Sequence, residues 1–168
     1  MEELNIIYRN NGKTIVEDKY KKTYIMEEDN HAVVILARYL NSFIFVKQFR
    51  RAVNDDVIQL PGGKVEKGEE LEEAARREFL EEAGAQCGNM DYLGPLVPAS
   101  WISNVVTHVF YTDDIINFSD QQLEEYESIE VLRVSIEDTV NMIKESKING
   151  SEVTFAVLQG ILKGYIKL

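Results

Sequence analysis

Hydrophobic and polar positions alternate through the first third of the chain and change to a helical period only after Pro61. Leu4–Tyr8 and Lys13–Tyr20 read as strands on either side of an Asn10-Asn11-Gly12 turn. Thr23–Glu27 reads as a continuation of the second strand past a bend. His31–Tyr39 is largely apolar, the pattern of a strand covered on both faces. Asn41-Ser42 turns the chain into Phe43–Phe49, and Asn54–Asp56 is a loop before the short run Val57–Leu60. Met90–Val97, Val105–Tyr111 and Ile129–Val134 are further strands, while Asp113–Glu127 is acidic and irregular. Helical spacing covers Glu69–Ala83. It returns after Ser135, an N-cap with Asp138 as partner, and runs to Lys147 before the Asn149-Gly150 stop. Ser151 caps a last helix carrying Val153, Phe155, Ala156, Val157, Ile161 and Leu162. Strands before, between and after the helices predict a sheet covered on both faces.

The first helix breaks its own pattern. At about 100° per residue, Leu71, Ala74, Ala75 and Phe79 form an apolar stripe. Glu78 and Glu82 fall inside that stripe, with Glu81 at its edge. Carboxylates at this spacing repel one another, and burying them unpaired costs several kcal/mol or raises their pKa values. A hard divalent cation removes both problems, because it takes oxygen ligands and sits between carboxylates and phosphates. Gly62 and Gly63 let backbone approach a ligand closely. One by one the glutamates are ordinary helix surface. Together with Pro61-Gly62-Gly63 and the terminating Gly84 they read as a Mg²⁺ or Mn²⁺ site.

At 168 residues and 45% hydrophobic content the chain fits one domain, residues 1–168, with residues 1–28 as an N-terminal strand extension. No apolar run is long enough to span a bilayer, and the N-terminus lacks the pattern of a secretory signal. The single cysteine, Cys87, excludes an intrachain disulfide and a cysteine-rich metal site. A cytoplasmic location is the expectation. The net charge of −11 argues against long nucleic acid as partner, but not against a small anion neutralised by a cation in one pocket. His31 and His108 are far apart in sequence and read as ordinary strand histidines.

Gly63, Glu69, Arg77, Glu78, Phe79, Glu81, Glu82, Gly84 and Ala85 stand at the spacing of the Nudix box, and every fixed position is filled. The chain therefore resembles the Nudix hydrolases. The resemblance implies an α/β/α sandwich around a mixed sheet, here with an N-terminal β-hairpin. It also implies hydrolysis of a nucleoside diphosphate linked to another moiety. Upstream, Gln48-Phe49-Arg50 and Leu60-Pro61-Gly63 resemble the ADP-ribose and nucleotide-sugar pyrophosphatase branch, with Gln59 in place of the usual Glu and Gly62 in place of Ala. Glu124–Val131 resembles that branch's late acidic loop and following strand. No acidic residue stands between Trp101 and Phe110, where the branch often has one.

The resemblance assigns roles. Glu78, Glu82, Glu81 and the Gly62 carbonyl are the expected metal ligands. Gly63, Glu69, Arg77 and Gly84 are the expected structural residues, with Arg77 pairing to Glu69 and Gly84 ending the helix. A direct phosphate contact is the rival reading of Arg77. The water-activating base is Glu81 from the box, or Glu125 or Glu127 from the late loop. Arg50 is a phosphate or ribose contact, or else an ion pair with Asp55 or Asp56. Phe49, Tyr92 and Trp101 are candidates to stack on a base. The expected reaction is ADP-ribose to AMP and ribose 5-phosphate. The alternatives are a nucleoside triphosphate pyrophosphatase and a catalytically weak nucleotide-sugar sensor. A homodimer through the Leu4–Tyr20 hairpin is the expected assembly.

Overall fold

The computed structural model describes residues 4–125 and 127–167. Its centre is β4 (His31–Tyr39), which carries Val33, Ile35, Leu36 and Ala37 without exposure. Successive side chains of a strand point to opposite faces, so this run needs cover on both sides. Helix α1 (Leu71–Ala83) supplies it on one face, packing Ala74, Ala75 and Phe79 with Val33, Ile35 and Ala37. Helices α2 (Ile136–Lys144) and α3 (Ser151–Leu162) cover the other, where Val153, Ala156 and Val157 join Leu36, Phe43 and Phe45. The architecture is the α/β/α sandwich expected.

The mixed sheet runs β12-β5-β4-β10-β9, formed by Ile129–Ser135, Ser42–Arg50, His31–Tyr39, Val106–Thr112 and Asp91–Leu96. β10 lies parallel to β4, and the other neighbours on this path are antiparallel. β6 (Asp55–Gln59) adds to β5, and β7 (Gly62–Lys64) adds to β4. An antiparallel sheet of β1 (Asn5–Asn10), β2 (Lys13–Glu17) and β3 (Thr23–Glu27) precedes them. β8 (Ala85–Cys87) pairs with β11 (Ile115–Phe118). Among the described residues, no helix is long and apolar enough to cross a membrane.

Several boundaries differ from the expectation for local reasons. Thr23–Glu27 is a separate strand folded back on β2, because the Asp18 carboxylate accepts from the N–H groups of Tyr20 and Lys22 and closes a turn. β6 begins at Asp55, directly after Asn54 has taken the left-handed turn position at φ +54°. Part of the acidic stretch 113–127 is the strand β11. Gly62 and Gly63 lie in β7 rather than in a turn. α1 begins at Leu71, two residues late, because the Glu69 carboxylate is engaged with the N–H of Glu66. α2 ends at Lys144, and α3 takes Gly150 as its N-cap, so Ser151 is already helical. Ser135 caps α2 through the N–H of Asp138, at 3.0 Å.

Candidate active site

The α1 carboxylates meet β7 at the edge of β4. Glu82 is buried, 7% exposed, between the apolar positions Phe79 and Ala83. Its Oε2 accepts from the N–H of Gly62 at 2.7 Å. Glu78 lies against Gly63, so closely that a Cβ there would stand 2.5 Å from its Oε1. A Cβ on Gly62 would stand 2.1 Å from the Val33 carbonyl oxygen, at a φ of +154°. Gly62 is therefore required by its close approach to the β4 backbone, whereas a Cβ on Gly63 would first meet the carboxylate of Glu78. Gly84 ends the helix in the left-handed conformation, its N–H directed to the Leu80 and Phe79 carbonyls. Gly63→Ala is expected to push Glu78 off its position and slow turnover while the protein still folds. Turnover equal to the parent's, measured under saturating substrate, would contradict that placement.

Arg77 organises the acidic cluster. Its Nε and Nη2 hold the two oxygens of Glu69 at 2.9 and 3.0 Å. Its Nη1 donates to Glu78 Oε1 at 2.9 Å and to Glu81 Oε2 at 3.1 Å, and Nη2 also reaches the Lys64 carbonyl at 3.0 Å. A guanidinium has five N–H donors. All five are engaged, which leaves none for a phosphate. The helical wheel points Arg77 away from the carboxylates, but its long side chain bends back to them.

Burial is the largest influence on both inner carboxyl groups. It raises the Glu78 pKa against the opposing pull of Arg77, with Glu81 and Glu127 adding repulsion. It pushes Glu82 up to about 7 against the Gly62 N–H, with Glu78 and Glu127 again adding repulsion and Arg50 opposing. Arg77 holds Glu69 below the usual carboxylate range.

Glu127, from the loop before β12, bears on both Glu78 and Glu82; Arg50, from the end of β5, bears on Glu82. Glu127 is itself positioned by Glu124, whose N–H donates to its Oε2 at 3.0 Å. Glu125 is exposed. Arg50 donates from Nε to Gln59 Oε1 at 2.6 Å, while Asp56 pairs with Lys47. The ion-pair reading of Arg50 thus gives way to a bond with the residue that departs from the branch pattern.

A cleft of about 160 Å³ opens beside Gly62 and Gly63. Arg50, Gln59 and Ile58 line one side, and Thr107, Gly150 and Glu152 line another. Thr107, Gly150 and Glu152 carry no sequence signal, since β10 and α3 reach the cleft only through the parallel pairing and the helix packing. Phe49 is exposed near the end of β5, opposite Asp56. Trp101 is 66% exposed in the turn before β10, outside the cleft lining. That turn serves the N-terminal sheet, because the Ile102 carbonyl accepts from Ile25 and the Asn104 side chain bonds both backbone groups of Glu27.

The oxygen donors suit a hard cation. Among the described residues, Glu78, Glu81 and Glu82 each have one oxygen held by Arg77 or Gly62 and the other without a protein partner. The three carboxylates are thus oriented, and two are strained by burial that positive charge would relieve. Among the described residues, no group of three or more His, Cys, Asp or Glu is already placed to hold a metal ion.

A model of the NUDIX domain matches residues 27–153, from the end of β3 into α3. The chain belongs to the Nudix family. The Nudix match includes α1, β7 and the cleft, and leaves β1 and β2 outside. An ADP-ribose pyrophosphatase of Bacillus subtilis (strain 168) is 26% identical over 140 residues, 83% of this chain and 76% of that protein. A methanol dehydrogenase activator of Bacillus methanolicus is 26% identical over 148 residues, 88% of this chain and 77% of that protein. The crystal structure of an ADP compounds hydrolase superposes with a TM-score of 0.80. That superposition covers 99% of this chain and 95% of the other at 18% identity, a likeness of fold. The Nudix identification, and the ADP-ribose pyrophosphatase branch drawn from Gln48-Phe49-Arg50, are supported by these likenesses.

Proposed function

We propose that this Nudix protein hydrolyses the pyrophosphate bond of a nucleoside diphosphate sugar, with ADP-ribose as substrate and AMP and ribose 5-phosphate as products. The observation that carries the reading is the buried Glu82, held on the Gly62 N–H, with the partly buried Glu78 against Gly63, while Arg50 lines a cleft that has both glycines on its wall. Glu78, Glu82, Glu81 and the Gly62 carbonyl would hold Mg²⁺ or Mn²⁺. A cation held there would supply positive charge against the pyrophosphate oxygens and would make water a stronger nucleophile.

The chain's own groups do the rest. Arg77 keeps Glu78 and Glu81 in place and takes no part in phosphate binding. Arg50, fixed by Gln59, offers its remaining donors to a phosphate or ribose. Glu127 is the chosen base over Glu125, because its charge already bears on Glu78 and Glu82. It accepts a proton from the attacking water as the new P–O bond forms and the bridging P–O bond breaks. A substrate panel of ADP-ribose, ADP-glucose, GDP-mannose, UDP-glucose, NADH and nucleoside triphosphates, with product identification, tests the assignment. AMP from ADP-ribose at the highest kcat/KM supports it. Dominant triphosphate turnover with pyrophosphate as product replaces it, and tight ADP-ribose binding without turnover would mark a sensor.

A homodimer through the N-terminal sheet belongs to the same reading. Ile6, Ile7 and Tyr8 of β1 are all exposed, and β1 has an open edge. Light scattering is expected to give twice the chain mass, and a monomer mass across a wide concentration range would reject the dimer.

A further inference from the structure

We propose that His31 and His108 form a second cation site, outside the carboxylate cleft, that takes a borderline metal ion such as Zn²⁺. The parallel pairing of β10 on β4 sets Val106 opposite His31 and His108 opposite Val33, so the two imidazoles become diagonal neighbours on one face. His31 Nδ1 and His108 Nε2 face each other at 2.9 Å. Two nitrogens on a tetrahedral zinc, each at ~2.0–2.1 Å, stand about 3.3 Å apart. The pair needs to open by only a few tenths of an ångström to admit the ion.

Tyr92, on the neighbouring strand β9, fixes the second nitrogen. Its hydroxyl lies 2.8 Å from His108 Nδ1. With the hydroxyl accepting, Nδ1 carries the proton and Nε2 presents its lone pair towards His31. This outer hydrogen bond is the device that orients metal-binding imidazoles. Without metal, His31 donates from Nδ1 to that lone pair. With metal, His31 carries its proton on Nε2, and both facing nitrogens become ligands without any change in net protonation.

The surroundings favour a cation. A cavity of about 420 Å³ has both imidazoles on its wall together with Glu28, Asp29, Glu66 and Glu69, and its lining contains no Lys or Arg. Glu69 is bonded to Arg77 and forms the boundary with the catalytic carboxylates. Among the described residues no third His, Cys, Asp or Glu already converges on the pair. Its remaining coordination positions therefore face water and the carboxylates of the rim. Chemistry separates the two sites. All-oxygen donors suit Mg²⁺ and Mn²⁺, whereas imidazole suits Zn²⁺, Cu²⁺ and Ni²⁺.

The test is calorimetric titration of the full-length protein with Zn²⁺ in excess Mg²⁺. One Zn²⁺ equivalent is expected in the parent and in Glu82→Gln. In His31→Gln and His108→Gln, the affinity is expected to fall about 10-fold or more. The parent also provides a readout that needs no variant. The chain has two histidines, so every imidazole nitrogen signal in a ¹⁵N spectrum belongs to this pair. Zn²⁺ is expected to move His31 Nδ1 and His108 Nε2 and to leave the other two nitrogens protonated. Unmoved imidazole signals, absence of a stoichiometric site in excess Mg²⁺, or a site lost only in Glu82→Gln would each overturn the proposal. The inference stands apart from the pyrophosphatase reading, since its readouts involve no turnover.

Discussion

Glu82→Gln is expected to make the metal-free protein more stable at pH 8 and to slow its turnover at least about 100-fold. The two effects have one cause. Glu82 is buried, and its pKa is raised to about 7, mainly by burial. A carboxyl group whose folded pKa exceeds its unfolded value penalises the folded state when ionised. The penalty is absent below the unfolded value of about 4.5, grows as pH rises, and is complete above about 7. Its size is up to about 3 kcal/mol. Glutamine keeps an acceptor for the Gly62 N–H and removes the charge. Thermal melts without metal should therefore show the variant more stable at pH 8, with the difference vanishing towards pH 4.5. Addition of Mg²⁺ should stabilise the parent and leave the variant little changed. A variant less stable than the parent at pH 8, or one that keeps parental turnover at limiting metal, would contradict the role given to Glu82.

Arg77→Leu is expected to cost about 3 kcal/mol of stability near neutral pH. The substitution strands Glu69, Glu78 and Glu81, which share that one guanidinium. Glu78 is the costliest of the three, because it is already the most buried. The pH dependence has a definite sign. Arg77 depresses the Glu69 pKa, so this contribution is present above the unfolded value and is lost as pH falls through the lower folded value. The gap between parent and variant should narrow in acid. Denaturant midpoints at pH 7 and pH 4 measure it, and a gap under about 0.5 kcal/mol at pH 7 would show that the network contributes little. An alanine scan of α1 read only for activity would miss this distinction between holding the site and forming it.

The acidic helix was legible because its information is local. Helical geometry alone places Glu78 and Glu82 in the apolar stripe, and the structure puts them beside Gly62 and Gly63. β4 was legible because a run buried on both faces needs no knowledge of its neighbours. What escaped was decided at a distance. His31 and His108 are separated by 77 positions, and only the parallel pairing of their strands brings them together. Thr107 and Glu152 enter the cleft for the same kind of reason. β8 and β11 are too short to show a period, and their pairing rather than their composition makes them strands. The turn at Asp18 did carry a signal, since its carboxylate caps two backbone N–H groups, but the flanking β-prone residues masked it. The bonds from Arg77 to Glu78 and Glu81 escape a helical wheel, which projects Cβ positions and ignores the reach of a long side chain.

The most direct test of the account is AMP release from ADP-ribose by protein stripped of metal, measured before and after Mg²⁺ or Mn²⁺ is restored. The account predicts no turnover in the stripped sample, recovery with either ion in the parent, and no comparable recovery in Glu82→Gln. Full turnover by a verified metal-free sample would contradict it.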